Sequence, residues 1–251
     1  MNIGLIKLGL SSTFITINLD IFIGVFGMEK HKIMAKIKQN HKVSPLVFFL
    51  LVKISSLFKV SFIISSYLAM FSATSIIAPL AGAFGGLASC VAVFGLSMGL
   101  KFVFGGLSLA YLFYHIPGLF ASLYWASSSF LIRLMVPLAC MVAFIAHPAI
   151  GAGWVYSLYW FIPVVIYFLR TENLFLQALG STFTAHAVGS VVYAYADPMS
   201  PEIWLALIPV VIVERLIFAS GMVIVYHVIT YISLLLKKTK SVVRDTPIGN
   251  N

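Results

Sequence analysis

Charged residues are scarce in this sequence: Asp, Glu, Lys and Arg make up 9% of its 251 residues. An ordinary soluble domain carries about 25% charged residues. Hydrophobic residues reach 61%, which is more apolar surface than a soluble fold can keep out of water. The composition therefore excludes a soluble enzyme, a disordered tail and a nucleic-acid-binding domain.

Cysteine is almost absent as well. Cys90 and Cys140 lie in apolar stretches and have no CxxC partner, so neither a disulfide scaffold nor a zinc site is predicted. The sequence also lacks an H-E-x-x-H motif, a paired carboxylate motif, a phosphate-binding loop and a dinucleotide fingerprint. We therefore expect no metal and no cofactor to be bound by this chain.

The middle of the sequence consists of long runs without charged residues. Only eight of the 23 charged residues lie between residues 60 and 236. They leave uncharged runs at residues 60–100, 102–132, 134–169 and 173–196. Because about 20 apolar residues cross a bilayer as a helix, these runs predict several membrane spans.

Helices are favoured over a β-barrel, since the runs lack the alternation of polar and apolar residues that barrel strands need. The predicted fold class is an all-α, polytopic integral membrane helix bundle. Seven candidate spans are found at face value: residues 60–81, 84–100, 102–121, 130–146, 151–169, 174–196 and one within 203–236.

Basic residues flank the bundle on both sides. Five lysines lie within residues 29–42, and three lysines and an arginine lie within residues 237–244. Lys and Arg near span ends mark the cytoplasmic side, so both ends of the bundle are predicted to be cytoplasmic in a cell membrane. Two cytoplasmic ends require an even number of crossings, which favours six spans over seven. The Gly-rich stretch at 78–86 is then expected to break a helix that re-enters or crosses incompletely.

Three segments follow from this layout: a basic, amphipathic extension at 1–59, the transmembrane bundle at 60–238 and a cytoplasmic tail at 239–251. Lys53 and Lys59 are predicted to reach water from a helix in the headgroup layer. Residues 1–28 fit a signal-peptide core, an extra span or the leader of an overcalled start, and the sequence leaves these open. The net charge of +9 indicates anionic lipid rather than nucleic acid as partner. The tryptophans near span ends, among them Trp160 and Trp204, are expected in an aromatic belt.

A stretch rich in small and hydroxylated residues, 180–190, places His186 in the middle of a span. On a helix Thr182, His186 and Gly189 share one face, and Tyr193 lies one turn further on. Such a face offers a few polar groups within apolar surroundings, as a ligand site requires. These four residues are therefore predicted to bind the substrate, with a purely structural histidine as the alternative.

Glu214 and Arg215 form the second set of candidate substrate-binding residues. Charged groups at membrane depth are costly and normally face a cavity or a partner. Neighbouring residues are about 100° apart on a helix, so the two are predicted to need separate partners. If a short interfacial piece containing Pro209 precedes a span from about residue 214, the two lie near the headgroups; otherwise they line the cavity.

One enzyme motif is present. Gly95, Ser97 and Gly99 satisfy the G-x-S-x-G pattern of a nucleophile elbow, and Ser97 could pair with His186 as in an intramembrane serine hydrolase. The pattern needs a strand, a tight turn and a helix, whereas here it lies within a hydrophobic span. Residues 185–189 are faintly similar to the histidine helix of rhomboid proteases, but the G-x-S-G serine motif of that family is missing. We expect no enzymatic activity, and an ion-coupled secondary transporter remains a further alternative.

Small residues recur four positions apart, which lets membrane helices approach closely. Most such stripes are expected to serve contacts within the bundle. The stripe of Ala69 and Ala73 on the first strong span is, as the alternative, predicted to dock another membrane protein. Three features of residues 60–238 carry a resemblance to a known family. They are this stripe, the Gly-rich break after it, and a final span that begins at Glu214 and Arg215. The chain resembles the substrate-binding membrane subunits (S components) of energy-coupling factor transporters.

The resemblance implies a six-helix bundle that binds a vitamin-like micronutrient near the outer face. It also implies partners: a transmembrane coupling subunit, which would dock on the stripe of Ala69 and Ala73, and separate ATPase subunits. We expect a membrane transport protein that takes up a small molecule, although no motif names the ligand.

Overall fold

The computed structural model describes residues 43–61 and 70–245, without the side chains of residues 59–61, 70–72 and 237–245. The predictions for residues 1–42, for Ala69 and for the end of the tail lie outside these ranges. Within them the chain forms eight helices and one short pair of strands. The helices are α1 (Pro45–Ser55), α2 (Thr74–Ile77), α3 (Leu80–Val103), α4 (Leu109–Ala126), α5 (Leu131–Ile145), α6 (Gly151–Leu169), α7 (Leu174–Ala196) and α8 (Pro201–Asp245).

Three helical segments are long and apolar enough to cross a membrane: Leu80–Val103, Gly151–Leu169 and Pro201–Leu236. The prediction of a helical protein with membrane spans is confirmed at this level for the described residues. Helices α6 and α7 have the bounds expected from the uncharged runs. Asn173 begins α7 by accepting hydrogen bonds from the backbone N–H groups of Phe175 and Leu176, at 2.9 and 3.1 Å.

The predicted span at residues 60–81 is wrong as a single helix. Its described residues form the antiparallel strands β1 (Lys59–Ser61) and β2 (Met70–Ser72), in which Val60 lies opposite Phe71, and then the short helix α2. Serine and β-branched residues are frequent in this stretch and are weak helix formers. Hydropathy alone therefore overestimated its helical character.

The last helix is continuous. The short interfacial piece predicted before residue 214 is wrong, because α8 runs from Pro201 through Pro209 to Asp245. A proline is tolerated inside a membrane helix when neighbouring groups satisfy the freed backbone. At 1.5 Å per residue, Glu214 lies about 20 Å from the start of α8, well inside its apolar part.

Helix α3 contains the break expected in the Gly-rich stretch. Gly86, the seventh residue of the helix, has φ of 64° and ψ of −160°, a conformation open essentially to glycine alone. A β-carbon added there would meet no atom within 4 Å. The constraint on residue 86 is therefore the backbone conformation and not a lack of space.

Helix α7 is the centre of the bundle and packs against α4, α5, α6 and α8. Small residues allow these close approaches, since a β-carbon at Gly180 would collide with the side chain of Tyr124 on α4. The Ser181 hydroxyl donates to the Ala121 carbonyl of α4 at 2.8 Å. Ten residues spread around the helix are buried: Ala178, Gly180, Ser181, Thr182, Phe183, Thr184, Ala187, Val188, Ser190 and Ala194.

Two groups of buried apolar side chains form the core. The first apolar cluster joins α1, α3, α7 and α8, and the second joins α5, α6, α7 and α8. Both include residues of α7 and α8, so these two helices connect the halves of the core. The first is represented below by Phe218, and the second by Trp160, Phe183 and Trp204.

Candidate functional site

A charged pair lies inside the bundle. Glu214 and Arg215 on α8 are each only 7% exposed. Arg215 Nη2 forms an ion pair with Glu214 Oε2. The prediction that the two need separate partners is wrong, because the long arginine side chain reaches back to its neighbour. A buried pair of this kind avoids most of the cost that either charge would carry alone.

Arg215 also connects α8 to α7. Its Nη1 donates to the Thr182 hydroxyl at 3.3 Å, and its guanidinium carbon lies 4.9 Å from the centre of the Phe218 ring. The guanidinium therefore meets a carboxylate, a hydroxyl and an aromatic face. These contacts fix its position within the apolar core.

His186 and Tyr156 complete the group. Their ring centres are 5.3 Å apart, and both lie within electrostatic reach of Arg215. Tyr156 also lies near Ser190, one turn beyond His186 on α7. We call Tyr156, Thr182, His186, Glu214 and Arg215 the polar cluster.

The polar cluster lies where the two apolar clusters meet. Phe218, against Arg215, belongs to the first cluster. Trp204 and Phe183 belong to the second, with ring centres 5.0 Å from Tyr156 and 6.4 Å from His186. The polar groups are thus enclosed by aromatic rings, the usual setting of a small-molecule site.

Three ring nitrogens around Tyr156 are buried without a hydrogen-bond partner in the described part of the chain. They are His186 Nε2, Trp160 Nε1 and Trp204 Nε1. A buried polar group left unpaired typically costs about 1–3 kcal/mol. Such groups call for an explanation, and a bound molecule that offers acceptors supplies one.

Tyr156 is carried by an unusual piece of helix. Residues Gly151–Trp160, the first half of α6, form a 3-10 helix of ten residues. Such helices rarely exceed three or four residues, and a 3-10 stretch within a longer helix often marks a functional hinge or a strained sequence. Gly153 brings this segment close to α8, since a β-carbon there would lie 3.0 Å from that of Trp204.

Sequence reasoning missed Tyr156, Trp160 and Trp204 as members of this site. Trp160 and Trp204 were predicted in an aromatic belt, yet they are 0% and 2% exposed and lie in the second apolar cluster. The available signal was the crowding of aromatic residues after Gly151 and Gly153. That signal does not distinguish a membrane interface from a core.

The face predicted on α7 is divided in the structure. Thr182 and His186 belong to the polar cluster, but Gly189 faces α4, where an added β-carbon would lie 3.4 Å from Pro117. Tyr193 is 59% exposed. The structure thus brings together Thr182, His186, Glu214 and Arg215 and leaves Gly189 and Tyr193 apart.

Two shallow apolar grooves of about 310 and 300 Å³ lie on the described surface. One runs between α3 and α4, and the other between α6 and α7. Residues of the polar cluster line neither groove. The cluster is therefore closed off from both of them.

Ser97 and His186 have different surroundings. Ser97 is buried within α3, and its carbonyl accepts a hydrogen bond from the Tyr111 hydroxyl of α4 at 3.5 Å. A serine inside a continuous helical stretch is not on a nucleophile elbow. Nothing in the described residues indicates catalytic activity, and no three of their His, Cys, Asp and Glu side chains are placed to hold a metal ion.

Ala73, the described half of the predicted docking stripe, directly precedes α2. Its N–H donates to the Phe58 carbonyl at 3.0 Å, and the residue is half-buried. Its predicted partner Ala69 lies outside the described residues, so the stripe remains a prediction.

Comparison of the chain with protein-family models, with curated proteins and with solved structures finds no match in any of the three.

Proposed function

We propose that this chain is an integral membrane transport protein that binds a vitamin-like micronutrient or other small molecule at the polar cluster for uptake. The observation that carries the proposal is the buried Glu214–Arg215 pair beside the unpaired nitrogens of His186, Trp160 and Trp204. Charged groups at membrane depth are expensive, and in membrane proteins they usually serve a substrate or an ion.

The chemistry of the cluster indicates the class of ligand. Glu214 neutralises Arg215, so the site favours a molecule without a large net charge. The unpaired tryptophan N–H groups are donors only, and they require acceptors on the ligand. Aromatic rings on several sides favour a flat, unsaturated molecule. We therefore expect a neutral, acceptor-rich ring compound.

Six crossings with both ends in the cytoplasm form part of the proposal. Helices α3 to α8 supply six candidates, of which α3, α6 and α8 are the long apolar ones. Helix α7 has 23 residues and would reach about 35 Å, enough to span the hydrocarbon core. Its many Ser, Thr and Gly residues suit a span shielded from lipid by its neighbours.

Energy would come from separate subunits. The sequence has no phosphate-binding loop, and the resemblance to S components implies a coupling subunit with ATPase subunits. In this arrangement Ala69 and Ala73 are the docking residues. An Ala73→Leu substitution should then abolish co-purification of these subunits while ligand binding by the isolated chain persists.

Native mass spectrometry of the gently solubilised protein tests the binding function. We expect a small molecule to co-purify with the wild type and with the exposed-site variant Arg170→Met, and to be lost from His186→Ala. A protein that carries no small molecule, and that imports none when expressed in cells, would contradict the proposal.

An ion-coupled secondary transporter is the second candidate. Glu214 and His186 are titratable groups near the middle of apolar helices, where such transporters hold their coupling ions. Uptake assays separate the two mechanisms. Uptake by an ion-coupled carrier stops with an uncoupler and ignores ATP depletion, whereas uptake energised by ATPase subunits stops when ATP is removed.

A further inference from the structure

The groove between α3 and α4 lies beside a pair of lysines. It has a volume of about 310 Å³ and is lined by Met98, Leu107, Ser108, Leu109 and Leu112. Lys101, one turn after Met98, places its Nζ 5.2 Å from the centre of the Tyr111 ring. The same side chain passes next to Gly106, where an added β-carbon would lie 3.6 Å from Nζ. The ammonium therefore lies next to neighbours of the residues that line the groove.

A second ammonium group comes from another helix. Lys53 lies in the last turn of α1, which packs against α3, and it is within electrostatic reach of Lys101. Burial and the charge of Lys101 both lower the pKa of Lys53. In the described part of the chain no carboxylate forms an ion pair with either lysine. Two ammonium groups, each in the last turn of one of two packed helices, are thus left without a protein anion in the described part of the chain.

The local charge can be added up. Each lysine lies in the last turn of its helix, and a helix C-terminus supplies about half a negative charge. Two ammonium groups and two helix ends leave about one positive charge. One phosphodiester group would neutralise it.

The direction of the groove matches that of a lipid. Lys101 lies near the end of the candidate span Leu80–Val103, so a crossing by this helix would place Lys101 at headgroup depth. Met98 on α3 and Leu112 on α4 lie further from the helix ends than Lys101 and Leu109, so the groove continues toward the apolar interior. Ser108 accepts from the Tyr111 N–H at 3.1 Å, and its own hydroxyl proton can be donated at the groove entrance.

We propose that this groove binds one anionic phospholipid of the bilayer, with its phosphate at Lys53 and Lys101 and an acyl chain along Met98 and Leu112. The site is separate from the polar cluster and needs only the membrane location of the chain. It would hold α1 against the end of α3 by placing a shared anion between their lysines.

Native mass spectrometry of the full chain in detergent, titrated with defined lipids, tests this proposal. The probes are phosphatidylglycerol and phosphatidylcholine with identical oleoyl chains, and inorganic phosphate. We expect phosphatidylglycerol to bind at least about twentyfold more tightly than phosphatidylcholine, since each lysine near an anionic headgroup contributes about a fivefold effect. Equal binding of the two lipids would overturn the proposal, and so would inorganic phosphate binding as tightly as phosphatidylglycerol.

The double variant Lys53→Gln/Lys101→Gln locates the site. It should bind phosphatidylglycerol about as weakly as phosphatidylcholine, whereas the matched control Arg170→Gln, at the end of α6, should keep the preference. A preference that survives in the double variant places the lipid elsewhere and refutes the assignment. If the double variant does not fold, as judged by tryptophan fluorescence, the proposal is tested by the comparison of phosphatidylglycerol with phosphatidylcholine on the wild type.

Discussion

Breaking the Glu214–Arg215 pair should be far more harmful than replacing it whole. Within the described residues, the Glu214 carboxylate accepts its hydrogen bond from Arg215. An Arg215→Met substitution therefore leaves this carboxylate unpaired in the core. Removing one member of a buried pair costs about 3–5 kcal/mol of folding free energy. Glu214→Leu should lie at the lower end of this range, because Arg215 keeps Thr182 and the Phe218 ring.

The double variant Glu214→Leu/Arg215→Met has no buried charge left. Apolar replacement of a whole buried pair is often neutral or stabilising, so we expect an unfolding free energy within about 1 kcal/mol of the wild type, or above it. The two single effects sum to about 6–8 kcal/mol, which makes the coupling energy about 5–8 kcal/mol, around the top of the range for close charge pairs.

SDS titration in mixed micelles, followed by tryptophan fluorescence, measures these unfolding free energies. Arg170→Met at an exposed site is the control and should change stability by less than about 0.5 kcal/mol. A double variant that loses the sum of the two single effects would refute the reasoning about the pair. A double variant that is stable and still keeps its co-purifying ligand would refute the proposed role of the pair in binding.

Three further predictions use the same unfolding assay. Gly86→Ala should lower the unfolding free energy by about 1–3 kcal/mol, because residue 86 has φ of 64°. The control Gly95→Ala, in open space on the same helix, should be neutral or stabilising. Equal effects of the two substitutions would contradict the backbone argument. Tyr124→Phe should stabilise the fold by about 1–3 kcal/mol, since it removes a buried hydroxyl without a partner in the described residues, and a loss of stability would indicate a missed partner. Arg133→Leu should lower the unfolding free energy by about 1.5–3 kcal/mol, because Arg133 donates to the Tyr124 and Ser127 carbonyls at 2.8 to 3.2 Å where α4 ends. An unchanged stability would mean that water takes over these hydrogen bonds in the variant.

Helix bounds followed from the sequence where charges and caps coincide. Arg170 and Asn173 separate α6 from α7, and both helices have the predicted bounds. The span at 60–81 failed because hydropathy does not distinguish apolar serine-rich strands from helices. Predicting the continuity of α8 would have required knowing which groups surround Pro209.

The site was predictable where a residue was costly to bury. Glu214, Arg215 and His186 stood out because polar groups in an apolar run need a reason. Their mutual geometry was not predictable, since the reach of the Arg215 side chain depends on rotamers rather than on the angle between neighbouring residues. For Tyr156 the one signal in the sequence was the crowding of aromatic residues after Gly151 and Gly153, and that crowding does not predict a 3-10 helix of ten residues.

The 3-10 helix beside the polar cluster is longer than an α-helix with the same number of residues. A 3-10 helix rises about 2.0 Å per residue and an α-helix about 1.5 Å, so rewinding Gly151–Trp160 as α-helix would shorten it by about 5 Å. The aromatic ring at residue 156 would be drawn away from His186 by a change of winding alone. Access to the polar cluster would then depend on about half a turn of backbone, with the five other long helices unmoved.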